Sequence, residues 1–160
     1  MNTFARRALA AFSLLLLAVA PALAQNAATS DDGLIKVRSA YPMDETIARI
    51  KKDVAAKGIL FFQAVDQSKL AAGAGIALRP STLLEFGNPP LGAQFLTANP
   101  YSGLDWPVRV LVLQDEAGQV WAAYTDFAWI AQRHGIGDRQ QQFAMASSVV
   151  ESITSTIKPR

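Results

Sequence analysis

The stretch Ser81–Asp126, STLLEFGNPPLGAQFLTANPYSGLDWPVRVLVLQDEAGQVWAAYTD, decides the fold. Three of its runs read as strands: Thr82–Phe86, Val108–Leu113 and Val120–Thr125. Gly87-Asn88-Pro89-Pro90 stops the first abruptly, because proline cannot donate to a ladder and glycine permits a tight turn. Leu91–Ala98 then reads as a short helix, closed by Asn99-Pro100. Asp115–Gln119 is a hairpin connection. The third strand alternates, with Trp121 and Ala123 on one face and Val120, Ala122 and Tyr124 on the other.

Upstream, Leu34–Tyr41 sets Ile35, Val37 and Ser39 against Lys36, Arg38 and Ala40, a strand with one wet face. Met43, Ile47, Ile50 and Val54 form one apolar helical stripe. Asp44 and Glu45 suit its first turn, Lys51, Lys52 and Lys57 its end, and Gly58 its termination. Those lysines read as a solvated helix face. Ile59–Asp66 is a second strand and Gln67–Gly75 a short or frayed helix with two glycines. Downstream, Thr125-Asp126 opens a helix carrying Phe127, Ile130 and Ala131 and ending near Gly135. Asp138 and Gln141 have capping-box spacing before a last stripe of Phe143, Ala146, Val150, Ile153 and Ile157. This order predicts an α+β, two-layer domain over residues 34–160: a mixed, mostly antiparallel sheet of about five strands packed against helices.

A chain of 160 residues, 51% apolar, is one domain's worth of core. Part of that apolar content lies in Met1–Ala24: Arg6-Arg7, an Ala/Leu run over Ala8–Ala20, then Ala22-Leu23-Ala24. That is the pattern of a secretory signal peptide cut before Gln25. The apolar run is shorter than the about 20 residues of a spanning helix and is broken by Pro21, so no membrane span is expected after cleavage. The context of Arg6-Arg7 carries little else of a twin-arginine signal, so the general secretory route and a periplasmic location are expected. Gln25–Gly33 reads as a disordered lead-in. Loss of Arg6 and Arg7 takes Lys+Arg from 15 to 13, equal to Asp+Glu at 13. A neutral chain without a basic stripe lacks the electrostatic basis for nucleic-acid binding. The absence of cysteine excludes disulfides, thiolate metal sites and cysteine nucleophiles.

The candidate functional residues are few. Glu85 interrupts Leu83-Leu84 and Phe86 on a strand that looks buried, where a carboxylate needs a partner or titrates upward. Arg109 is its natural partner if their strands are neighbours, as an acid–base or anion-recognition pair or as a structural ion pair. His134, the sole histidine, needs a carboxylate to act as a base, and Asp126 and Asp138 are nearest in sequence. Otherwise it is a helix C-terminal histidine. Asn88, Asn99, Asp105 and Tyr124 converge near strand ends, although the asparagines also suit the turns before Pro89 and Pro100. One histidine and scattered carboxylates make no recognisable metal site. There is no Gly-x-Ser-x-Gly elbow and no phosphate loop. Trp106, Trp121 and Trp129 with Phe86, Phe95 and Phe127 suit a core or a dimer interface, less often a ligand pocket.

Phe86-Gly87-Asn88-Pro89, Leu104-Asp105-Trp106-Pro107-Val108-Arg109-Val110-Leu111-Val112, Val120-Trp121 and Tyr124-Thr125-Asp126 together resemble the domain of unknown function 302 (DUF302) family, over roughly Ile35 to Ile157. The resemblance implies the compact fold called TT1751-like and a homodimer, and it implies no reaction. Two positions depart from the resemblance. Many members look like Ile-Asp-His where this chain has Val65-Asp66-Gln67, and Ser81 replaces a common threonine. An amide is a much weaker metal ligand than imidazole, so Gln67 and the lack of cysteine disfavour haem or metal binding.

The expected function is thus a non-catalytic, exported homodimer that binds a small ligand or a protein partner, with Glu85, Asn88, Asn99, Arg109 and Tyr124 as candidate ligand contacts. The alternative is a small periplasmic hydrolase or isomerase using Glu85 with Arg109, or His134 with an acid.

Overall fold

The computed structural model describes residues 32–159. The expected signal peptide Met1–Ala24 and the lead-in as far as Asp31 lie outside the described residues. The elements run β1 (Leu34–Arg38), α1 (Met43–Ala56), β2 (Leu60–Asp66), α2 (Gln67–Gly73), β3 (Ser81–Gly87), α3 (Pro89–Ala98), a 3₁₀ helix (Pro100–Asp105), β4 (Val108–Gln114), β5 (Val120–Thr125), α4 (Phe127–Arg133) and α5 (Gln140–Ser155).

The five strands form one sheet in the order β1-β5-β4-β3-β2. The two-layer α+β architecture is as the sequence predicts. The expectation of a mixed sheet is corrected in one respect, because all four junctions are antiparallel. From β2 to β5 each strand lies beside the next and reverses its direction, and β1 closes the sheet antiparallel to β5.

Strand alternation assigns the two faces. Leu84, Val110, Val112 and Ala122 are fully buried on one face, together with Ile50 and Val54 of α1 and Val150 and Ile153 of α5. Each such aliphatic side chain contributes roughly 1.5–3 kcal/mol through removal from water. The intervening residues Val65, Leu83, Leu111, Leu113, Trp121 and Ala123 point the other way. They stay half-buried and take no part in the helix-side core, even on the central strand β4.

Local polar contacts fix the chain reversals. The Ser39 and Thr46 hydroxyls, both buried, lie 2.6 Å apart, and Thr46 also donates to the Tyr41 carbonyl, tying the end of β1 to α1. The Trp121 indole donates to Asp115 Oδ2 at 2.8 Å and the Gln119 N–H to Asp115 Oδ1. That pair of bonds, the indole's foremost, holds the Asp115 carboxyl below its ordinary pKa. The expected capping box at Asp138 does not form. Arg139 is the N-cap of α5, no side chain caps it, and Asp138 instead takes a hydrogen bond from the adjacent Arg139 guanidinium. The Asp138 carboxylate is thus engaged by Arg139 and not by the backbone N–H groups of the first turn of α5.

Candidate functional site

Beneath α5, at the end of the sheet where β3 stops and β4 starts, lies a cavity of about 250 Å³. Its floor is Phe86 and Val108, and its walls are Leu91 of α3, Trp106, and Ala146, Val149 and Val150 of α5. Lys57, at the C-cap of α1, and Asn88 supply polar groups, and Met145, largely exposed, stands beside them.

The sequence builds this pocket through its corner residues. Asn88 is the N-cap of α3 and its side chain accepts from the Leu91 N–H, with the prolines placed at the first helical positions where their missing N–H costs nothing. Gly92 then lets the Trp106 ring lie directly on the helix. A Cβ there would sit 1.7 Å from the indole Nε1. Trp106 in turn meets Phe95 edge-on, with ring centroids 5.4 Å apart. The indole edge is thereby pinned between α3 and the start of β4 and serves as one wall.

A second cluster centres on Asp105, whose side chain is 5% exposed. His134 Nε2 lies 2.6 Å from Oδ2. Arg133 donates to both carboxylate oxygens at 3.2 Å, and Arg109 reaches Oδ1 at 3.4 Å while also donating to the Leu104 carbonyl at 2.6 Å. Asn99 adds a bond from its side-chain amide to the His134 carbonyl. The 3₁₀ helix, β4 and the end of α4 are therefore tied through one carboxylate. Histidine's acid partner is Asp105, not Asp126 or Asp138. The ring is itself buried, and among the described residues no other side chain hydrogen-bonds to it, so the pair has no nucleophile to activate.

The five sequence candidates do not form one site. Glu85 and Arg109 are indeed direct neighbours across β3 and β4. They occupy the face away from the helices, where Glu85 accepts from Gln63 at 2.8 Å and Arg109 turns to Asp105. The expected ion pair is replaced because the buried Asp105 carboxylate needs cations more than a half-exposed one does. Tyr124 is buried on the opposite, helix-side face, and that burial pushes its phenol up to about 12, with the Thr154 hydroxyl acting the other way. Asn99 is the N-cap of the 3₁₀ helix, its side chain accepting from the Tyr101 N–H. Of the five, only Asn88 lines the cavity. Sequence reasoning missed Lys57, read as surface, and Val149, whose spacing from Phe143 and Ala146 was the available signal.

The profile of the family described as "Domain of unknown function DUF302" matches residues 35–157. The chain belongs to the DUF302 family. A crystal structure of an uncharacterised conserved DUF302 protein from Bacillus stearothermophilus superposes with a TM-score of 0.72 at 17% identity, covering 79% of this chain and 98% of that one. It shares the fold. Proteins named fluoride-specific ion channel FluC 1, from Brucella suis and Brucella abortus, are 39% identical over 107 residues, 67% of this chain. Those residues are 42% and 40% of the two proteins, so this DUF302 chain spans about two fifths of the curated relatives it matches. Among the described residues no helix is long and apolar enough to cross a membrane.

The two positions at which this DUF302 chain departs from the resemblance prove to be partners. The Ser81 hydroxyl donates to Gln67 Oε1 at 2.7 Å, closing the base of the β2–α2–β3 excursion. Among the described residues no group of three or more His, Asp or Glu is placed to hold a metal ion.

Proposed function

We propose that this DUF302 protein is an exported, non-catalytic binding domain that takes a small, mainly apolar ligand in the cavity under α5 and works as a homodimer. The cavity carries the reading: about 250 Å³ walled by packed aliphatic and aromatic side chains, with polar groups confined to one side. The acid–base pairs expected from the sequence do not stand open to a substrate, since Glu85 and Arg109 do not pair and the His134–Asp105 pair is buried. The homodimer is supported by the half-buried apolar sheet face of Leu83, Leu111, Leu113 and Trp121, which the helices leave uncovered and which a second copy could cover sheet to sheet.

The ligand reading is tested by heteronuclear NMR titration with benzene, an apolar probe small enough for the cavity. Shifts confined to the Ala146–Val150 turn and to Val108 are expected, and a Val149→Trp variant that fills the space should abolish them. Silence in the parent protein would overturn the reading. Light scattering at micromolar concentration addresses the dimer: a parent at twice the chain mass and a monomeric Leu111→Lys are expected, and a monomeric parent would end that part. Export predicts a periplasmic product beginning at Gln25, read by N-terminal sequencing.

The Brucella relatives favour a second reading, in which the domain accompanies an anion channel without forming the pore. Cells carrying the Brucella suis protein should then change in fluoride tolerance when its matching segment is deleted. Unchanged tolerance would remove this reading.

A further inference from the structure

The geometry points to an apolar monocarboxylate as the ligand of the α5 cavity. The inference rests on the reading that the cavity binds a small molecule at all, and it adds the ligand's polar end. The polar side chains on the lining, Lys57 and Asn88, both offer N–H donors. The Lys57 ammonium has three N–H groups, of which the ion pair with Asp53, at 2.7 Å, occupies one. Asn88 accepts from the Leu91 N–H through its side-chain oxygen at 3.4 Å, and its amide N–H groups have no partner among the described residues. The Trp106 indole lies with its Nε1 edge against Gly92, so it supplies an apolar wall rather than a donor.

A ligand whose polar end only accepts fits the N–H groups of Lys57 and Asn88. An alcohol or a primary amide brings no charge to meet the Lys57 ammonium, and an ammonium meets it at like charge. The charge is placed where it can be tolerated. The Lys57 side chain is 31% exposed at the mouth, so a carboxylate beside it remains partly hydrated while its hydrocarbon body lies on Phe86, Val108 and Val149. Size limits the body. At about 30 Å³ for each water-sized unit, 250 Å³ accommodates roughly eight such units, the length of a six- to eight-carbon acid or a benzoate-sized ring.

The experiment titrates the full chain calorimetrically with octanoate and, in parallel, with 1-octanol. Octanoate is expected to bind at least about tenfold more tightly, the equivalent of one charge-assisted hydrogen bond. Lys57→Met should erase that preference while leaving octanol binding in place. Asn88→Asp, which keeps the helix cap but places a carboxylate at the mouth, should weaken octanoate and spare octanol. Val149→Trp should abolish both. Equal binding of the two probes to the parent protein, or an undiminished preference in Lys57→Met and Asn88→Asp, would overturn the carboxylate inference and leave the cavity reading standing. Failure of both probes to bind the parent, or binding that survives Val149→Trp, would overturn the cavity reading itself.

Discussion

Gly92→Ala should destabilise this protein, although the same change in an open helix would stabilise it. Gly92 lies inside α3, where alanine is favoured over glycine by about 1 kcal/mol through backbone entropy. Against that stands the Trp106 ring. The added methyl would lie 1.7 Å from Nε1, 2.2 Å from Cε2 and 2.7 Å from Cδ1, distances no pair of non-bonded atoms sustains. The Trp106 ring is restrained by its edge-on packing against buried Phe95. Overpacking of this kind costs about 1–3 kcal/mol, and a contact this close belongs at the upper end, so after the propensity gain a net loss of up to about 2 kcal/mol is expected. At roughly 3–6 °C per kcal/mol for a domain of this size, the melting temperature should fall by up to about 12 °C. Thermal unfolding followed by circular dichroism reads this directly. The cause is isolated in a Trp106→Ala background, where Gly92→Ala should instead raise stability by about 0.5–1 kcal/mol, a coupling of opposite sign. A higher melting temperature for Gly92→Ala in the parent protein would refute the packing argument.

Three further outcomes follow from the contacts described. Asp105→Asn should cost about 2–3 kcal/mol in urea denaturation, less than for a fully buried pair because Arg109 and Arg133 are near half exposed; Arg133→Leu should cost under about 1 kcal/mol. A loss below about 0.5 kcal/mol for Asp105→Asn would show that the carboxylate does not tie the 3₁₀ helix to α4. Glu85→Gln should shift stability by no more than about 0.5 kcal/mol, since its contact is a single surface hydrogen bond to Gln63; a clearly stabilised variant would mark a strained carboxylate instead. Tyr124, raised by burial from 10 to about 12, ionises more readily in the unfolded chain, so its contribution to stability is complete below pH 10 and is lost as pH rises through 12. Absorbance titration at alkaline pH should show one phenol lagging the others, and its disappearance in Tyr124→Phe assigns it; a parent with no lagging phenol contradicts the burial.

Much of this was legible in the sequence where one face of an element is wet. The alternation of Val120–Thr125 and the spacing of Ile50, Val54, Val150 and Ile153 assign the core correctly, because period and burial coincide there. The 3₁₀ helix at Pro100–Asp105 was not legible, since Asn-Pro and Ser-Gly signal a turn without fixing its hydrogen bonding. The adjacency of Glu85 and Arg109 could be inferred from the strand pattern, yet their pairing could not. A long arginine chooses among partners by their burial, and the burial of Asp105 is a tertiary fact. The cavity was harder still. Lys57, Asn88, Trp106 and Val149 come from four separate segments, and each has a local reading complete in itself: helix end, helix cap, core aromatic and helix stripe.

The strand order has a consequence in time. Among the described residues β1 lies at one edge of the sheet and pairs with β5 alone, so Leu34 meets Thr125 across 91 positions of sequence. Pairings this remote demand loop closure before any contact rewards it, and they slow folding. β3, β4 and β5 can form a meander among themselves, while β1 must wait for the last strand to be made. A chain arranged in this way leaves β1 unpaired until β5 has been made. Substitutions in β1 should therefore act on the unfolding rate far more than on the folding rate, as expected of an element that docks after the barrier is crossed.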